Sequence, residues 1–206
     1  MNERFKPSVL LDASNQVDAQ IEPLVTRAEL LRAKGLINLR SSQQFSATLD
    51  PESADRLSAG AVENLRWALC MNPGDSFLWA QLYSLHLRIN GFSHATIGYL
   101  DESYATGPFE GWIAISRNRI SLAIFPMLSG HVQGLVVAEF AALVDYGFVD
   151  DATLILTGVG WQYRDRLLAG LAQTDAAARE RFRKSLSSIG AKVSIPGDEV
   201  EERPWR

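Results

Sequence analysis

The sequence predicts an all-α protein, and three observations predict it. Apolar residues recur at i, i+3, i+4 and i+7 over most of the chain, the spacing that gathers side chains on one face of a helix. Stop-and-start signals separate these stripes: Asn72-Pro73-Gly74-Asp75, Asn90-Gly91, Gly107-Pro108, Pro126 with Gly130, Gly147 and Gly190. The strict alternation that marks a half-buried strand is absent from the body of the chain. Short turns between the stripes leave about nine helices.

Residues 1–20 are polar and weakly patterned and read as a flexible lead-in to a helical domain spanning 21–190. Helical signal begins near Ile21, with Pro23 in a first turn, where proline is tolerated. Leu24, Ala28, Leu31 and Gly35 share its stripe. Ser41 to Asp50 is polar and reads as a connection, and Asp50-Pro51 announces a helix from about Ser53 to Met71. Asp75 caps the next helix, whose Leu78, Leu82, Leu85 and Ile89 form one face. Ser93 caps a helix with Ile97, Leu100 and Tyr104 as its stripe, and Gly107-Pro108 stops it. Glu110 to Phe125 is helical again. Val132 to Tyr146 places Val136, Phe140 and Leu143 together. Gly147 stands where a left-handed C-cap belongs, with Phe148 as the apolar contact that follows one. Asp150 or Asp151 caps an apolar helix to Leu156, and Trp161 opens another to about Ala172. Thr174 or Asp175 caps the last, to Ile189. Residues 191–206 form a polar tail in which Val193 and Ile195 make a short extended piece.

Composition narrows the function classes. A chain of 206 residues buries a sizeable core without disulfides or metals. Its 20 basic and 24 acidic residues give a net charge of −4, which argues against a general affinity for nucleic acid, an affinity that comes from neutralised phosphates. The most apolar stretch, Ile113 to Val144, is interrupted by Arg117, Arg119, Pro126, Gln133 and Glu139, so no run approaches the roughly 20 residues of a membrane span. The first residues lack the apolar stretch of a signal peptide, so the sequence as written reads as cytoplasmic. An export signal or anchor ahead of it would make the protein periplasmic or membrane-anchored. One cysteine, Cys70, permits no intramolecular disulfide and no cysteine-based metal site, and reads as a small core residue. No metal or cofactor is expected.

An internal repeat is visible. Trp79 and Trp112 lie 33 residues apart, Pro73 and Pro108 lie 35 apart, and each proline closes one helix just before the helix that carries the tryptophan. Ala61-x3-Leu65-x2-Ala68-x4-Pro73, then Trp79-x2-Leu82, then Ala95-x3-Tyr99 and Pro108, then Trp112-x2-Ile115, resembles the tetratricopeptide pattern of about 34 residues. The resemblance covers Ala61 to Phe125. Tyr83, His86 and Glu102 depart from it, and the third unit loses register at Pro126. It implies antiparallel helix pairs stacked as a solenoid, with small residues such as Ala61, Ala68 and Ala95 letting helices approach and C-terminal helices capping the stack. It also implies a groove for a protein partner lined by the first helix of each pair. The carboxylate clamp of some such proteins needs Lys, Arg and Asn on successive first helices. The helix of Trp79 offers Ser84 and Arg88 instead, so a chaperone-type C-terminal peptide is not expected. The runs Asn72 to Trp79 and Gly107 to Arg119 further resemble uncharacterised bacterial repeat proteins associated with envelope polysaccharide assembly.

Candidate partner-binding residues follow from this frame: Trp112, Arg117, Asn118 and Arg119, with Trp79 and Arg88 on the preceding unit. Arg117 shares a stripe with Ile113, Ile120 and Ile124, and an arginine on an apolar face must be paired. It either faces an anionic partner or, the commoner use, pairs internally with Asp101, Glu102 or Glu110. His86 and His94 have no carboxylate at i+4 and no cysteine partner, which argues against a metal site. Arg179, Arg181, Arg183 and Lys184 are interrupted by Glu180 and read as a solvated helix face. Trp161 reads as buried in the last layer. Phosphate loops, dinucleotide fingerprints, G-x-S-x-G and H-E-x-x-H are absent. The expectation is a non-enzymatic scaffold that binds another protein, free or membrane-associated, as an accessory to envelope polysaccharide assembly. The alternative is a small-ligand or enzymatic component of such a pathway, with His86, Arg117 and Arg119 as its nucleus.

Overall fold

The computed structural model describes residues 27–47, 51–107 and 110–196, with residues 9, 10, 12, 13, 15 and 16. The readings of Pro23, Leu24 and Pro108 lie outside the described residues, as do those of 197–206. Every regular element among the described residues is helical, as expected, and no strand occurs among them. The chain forms two compact units, divided after Gly107.

In the first unit, α1 (Arg27–Ala47) and α2 (Pro51–Met71) pack side by side, followed by α3 (Ser76–Asn90), a 3-10 turn at His94–Thr96, and α4 (Gly98–Thr106). Gly35 makes the α1–α2 approach possible, since a Cβ there would stand 2.8 Å from Leu65 Cδ2. α2 buries Ala54, Ser58, Ala61, Leu65, Ala68 and Leu69, one face at helical spacing. Leu39, Leu78, Leu82 and Leu85 close the core over it. The Ser41–Asp50 connection is corrected: α1 runs on to Ala47. Its polar residues are helical because they are bonded in the interior. Asn38, Ser41 and Ser42 are buried, and Ser42 Oγ donates to Leu39 O at 2.8 Å while accepting from Arg88 Nη2 at 2.8 Å. Tertiary bonding overrides a weak helix propensity here.

The turn at 72–75 forms as its residues dictate. Asp75 Oδ1 accepts from the Leu78 amide at 3.1 Å to cap α3, and Asp75 Oδ2 accepts from Arg32 Nε of α1 at 2.8 Å. Gly91 takes φ +72°, the left-handed region glycine favours, and ends α3. Leu78, Leu82 and Leu85 are buried, but Ile89, one turn on, is exposed. Ser93 caps the 3-10 turn, and Ser103 Oγ donates to Ser76 O at 2.7 Å, joining α4 to α3.

The second unit contains α5 (Gly111–Ala123), a 3-10 turn at Phe125–Met127, α6 (Gly130–Asp145) and α7 (Val149–Thr157). A 3-10 turn at Trp161–Tyr163, α8 (Arg164–Ala169), a 3-10 turn at Gly170–Gln173 and α9 (Ala176–Ser188) complete it. Val136, Phe140, Leu143, Ile155, Leu167 and Phe182 are buried within it, with Phe140 edge-on to Phe182 at 5.9 Å. Gly147 at φ +88° turns the chain after α6, and the Phe148 amide donates to Leu143 O at 2.9 Å, the six-to-one bond of a Schellman end. Asp150 and Asp151 sit in the first turn of α7 and do not cap it. Asp175 caps α9, accepting from the Ala178 amide at 3.0 Å. The single helix read from Trp161 to Ala172 is instead broken into two 3-10 turns around α8. Residues 191–195 are irregular, yet Ile195 is buried and Arg179 Nη1 donates to Pro196 O at 2.7 Å, so the start of the tail is fastened to α9. The helices run from 6 to 21 residues, so they are not copies of one length.

Candidate functional site

The structure distributes the sequence-derived candidates unevenly. Arg117 and Asn118 are fully buried inside the second unit. Arg117 Nε donates to Glu139 Oε1 at 3.0 Å, Nη2 reaches the same oxygen, and Asn118 Nδ2 donates to Val136 O at 2.9 Å and to Glu139 Oε2 at 3.4 Å. The partner-facing reading of these two is therefore corrected: they fasten α5 to α6. Glu139, from the next helix, is a carboxylate partner of Arg117 outside the expected set of Asp101, Glu102 and Glu110. In the sequence Glu139 stands as an interruption of an apolar run, and its position beside Val136, Phe140 and Leu143 is the signal that it points inward.

Arg88 is also internal in its bonding. Its Nη2 donates to Ser42 Oγ on α1 and lies 3.5 Å from Ser58 Oγ on α2, and desolvation lowers its pKa from the ordinary guanidinium value. Trp112 and Arg119 are exposed on α5.

Trp79 marks the surface feature of the first unit. Its Nε1 donates to Pro73 O at 2.8 Å, fixing the indole against the α2–α3 turn, and its ring stacks on Tyr99 with centroids 6.0 Å apart. His86 also stacks on Tyr99, with ring centroids 5.3 Å apart. Together with Arg66, Leu69 and Cys70 of α2, Pro73, and Leu82 of α3, Trp79 and Tyr99 line a groove of about 370 Å³. Cys70 is exposed, correcting its reading as a core residue. It stands two residues from Ala68, on the side of α2 turned away from the core. Trp161 is exposed as well, with the Arg164 guanidinium 5.1 Å over its ring.

The groove is weakly charged. His86 is pushed below the ordinary imidazole range, first by burial and second by the Arg66 guanidinium. Asn90 Nδ2 lies 3.3 Å from His86 Nδ1, while His86 Nε2 is buried without a hydrogen-bond partner. Tyr83, one turn back on α3, is fully buried with its hydroxyl unpartnered, and burial raises its pKa. Among the described residues no group of three or more His, Cys, Asp or Glu is placed to hold a metal ion. No described helix is long and apolar enough to cross a membrane.

Sequence reasoning found Trp79 but missed Arg66, Trp67 and Cys70. Their stripe was legible: Ala59, Val62, Arg66 and Cys70 share a helical face distinct from the face of Ala61, Leu65 and Ala68. No family model, no curated protein and no solved structure matches the chain. The fold and the groove define an all-helical protein with an aromatic surface recess, and its residues alone carry the functional argument.

Proposed function

We propose that the protein is a non-enzymatic, tetratricopeptide-like scaffold that binds another protein, and that the groove of the first unit is where it binds. One observation carries this: an open recess walled by Trp79, Tyr99, Pro73 and Leu82 with a single cation, Arg66, at its rim. Tyrosine, tryptophan and arginine are the side chains enriched at the energetic centres of protein interfaces. Apolar walls with few polar groups suit an extended or helical peptide segment better than a reacting substrate, which needs several converging titratable groups. The resemblance of Asn72 to Trp79 to proteins of envelope polysaccharide assembly supports an accessory role there, with the partner an assembly component.

The test is affinity capture from native extract with membranes solubilised. Pro73→Glu places a charge at the exposed rim and keeps the Pro73 carbonyl bond to Trp79 available. It is expected to abolish capture while leaving helicity intact. Capture that survives Pro73→Glu and is lost on Trp112→Ala or Arg119→Glu would move the binding surface to the second unit and overturn this assignment.

A further inference from the structure

Beside the partner groove, α2 carries a second uncovered surface. Ala59, Val62, Glu63, Arg66, Trp67 and Cys70 line a shallow recess of about 370 Å³ on the outer side of the helix. Trp67 is 56% exposed, and neither Glu63 nor Arg66 forms an ion pair among the described residues. At about 100° per residue, this stripe is centred about 160° from the buried face of Ala61, Leu65 and Ala68. It is therefore a second helix-long face, not the fringe of the first.

The stripe is self-complementary. Its members lie at equal distances either side of the point midway between Asn64 and Leu65. A second α2 laid antiparallel about that point sets Glu63 against Arg66, Val62 against Trp67, and Ala59 against Cys70. Each pairing matches: opposite charges meet twice, and a small side chain meets a larger one four times. A parallel arrangement would instead set Glu63 on Glu63 and Arg66 on Arg66, which is repulsive. We propose that this face docks a second copy of the chain, antiparallel, through α2. Charge complementarity selects this occupant, because the face supplies both the cation and the anion that its own copy needs. The stripe is about 16 Å long, so the contact belongs to the small, weak class of interfaces. The inference goes beyond the partner groove. The two surfaces share Arg66 and Cys70, but Pro73 lies only in the groove and Ala59 only in the stripe, so either proposal can fail while the other stands.

The natural cysteine supplies the test. Across the antiparallel axis the two Cys70 residues stand about 16 Å apart along the helices, beyond the roughly 7 Å that a disulfide spans. Ala59→Cys, in contrast, faces Cys70 of the second copy, while the two cysteines of one chain remain about 16 Å apart. Under copper-phenanthroline and oxygen at about 100 µM, wild type is expected to stay uncrosslinked. Ala59→Cys is expected to give a covalent dimer whose linked peptides join positions 59 and 70. Arg66→Glu should weaken association about tenfold by sedimentation, and Glu63→Arg with Arg66→Glu should restore it. A Cys70–Cys70 link in wild type, a mixture of all cysteine pairings in Ala59→Cys, or a chain that stays monomeric at this concentration would overturn the proposal.

Discussion

Arg117 and Glu139 show how an interior charge is tolerated. Both side chains are buried, and the carboxylate is held from two residues of α5 at once. Such a pair is weak evidence of net stability, but breaking it leaves an uncompensated charge in the core. Glu139→Ala should therefore cost about 3–5 kcal/mol, read as a shift in the urea midpoint. Arg117→Met with Glu139→Leu should recover most of that loss, since well-packed apolar replacements are often neutral. If the single variant unfolds at the wild-type midpoint, the pair is not a structural fastener. His86 offers a second residue-level prediction. Its folded pKa is lowered by burial and by Arg66, so the unfolded chain binds the proton more readily. The associated stability is fully present above about pH 6.5, the unfolded value, and is lost as pH falls from there through the lower folded value. His86→Phe keeps a ring against Tyr99 and removes the titration. Its melting temperature should fall less between pH 7 and pH 5.5 than that of wild type; equal falls would contradict the assignment.

Among the helices, the boundaries were the legible part. Asp75, Ser93, Gly91, Gly147 and Asp175 stop or start elements where their chemistry predicts, because caps are local and need no knowledge of the rest of the fold. What was not legible depended on distant partners. The polar end of α1 reads as a connection until Arg88, 46 residues on, is seen to hold Ser42. The same applies to the Arg117–Glu139 pair, whose members lie 22 residues apart on α5 and α6. Cys70 and Ile89 depart from expectation for a different reason: apolar type does not dictate burial on helices whose neighbours cover only part of the circumference. The α1–α2 contact yields an element-level prediction. Gly35→Ala raises helix propensity by about 1 kcal/mol, yet its Cβ would meet Leu65 Cδ2 at 2.8 Å and the Leu65 backbone nitrogen at 3.2 Å. Overpacking of this kind costs about 1–3 kcal/mol, so the net effect should be destabilising. A raised urea midpoint would show that the two helices separate freely at this point.

For the whole chain, the all-helical class was open to sequence, since periodicity and punctuation agree along most of its length. The division after Gly107 was not, although it falls at the Gly107-Pro108 stop that the sequence does show. The 21–190 span read as one repeat domain contains this boundary, and the candidate set drawn from the repeat was spread over both units. Trp79 belongs to the first, while Trp112, Arg117, Asn118 and Arg119 belong to the second. Of that set, Trp79 alone lines the groove that the proposed function rests on. The central claim is that this groove holds a protein partner, and a photo-crosslinker tests it most directly. Tyr99 replaced by p-benzoylphenylalanine keeps an aromatic ring in the groove wall, half-buried and facing the recess. Irradiated in native extract, it should yield one stoichiometric crosslink to a single other protein, abolished by Pro73→Glu. A folded protein that gives no crosslink, or only crosslinks that Pro73→Glu leaves unchanged, would contradict the account.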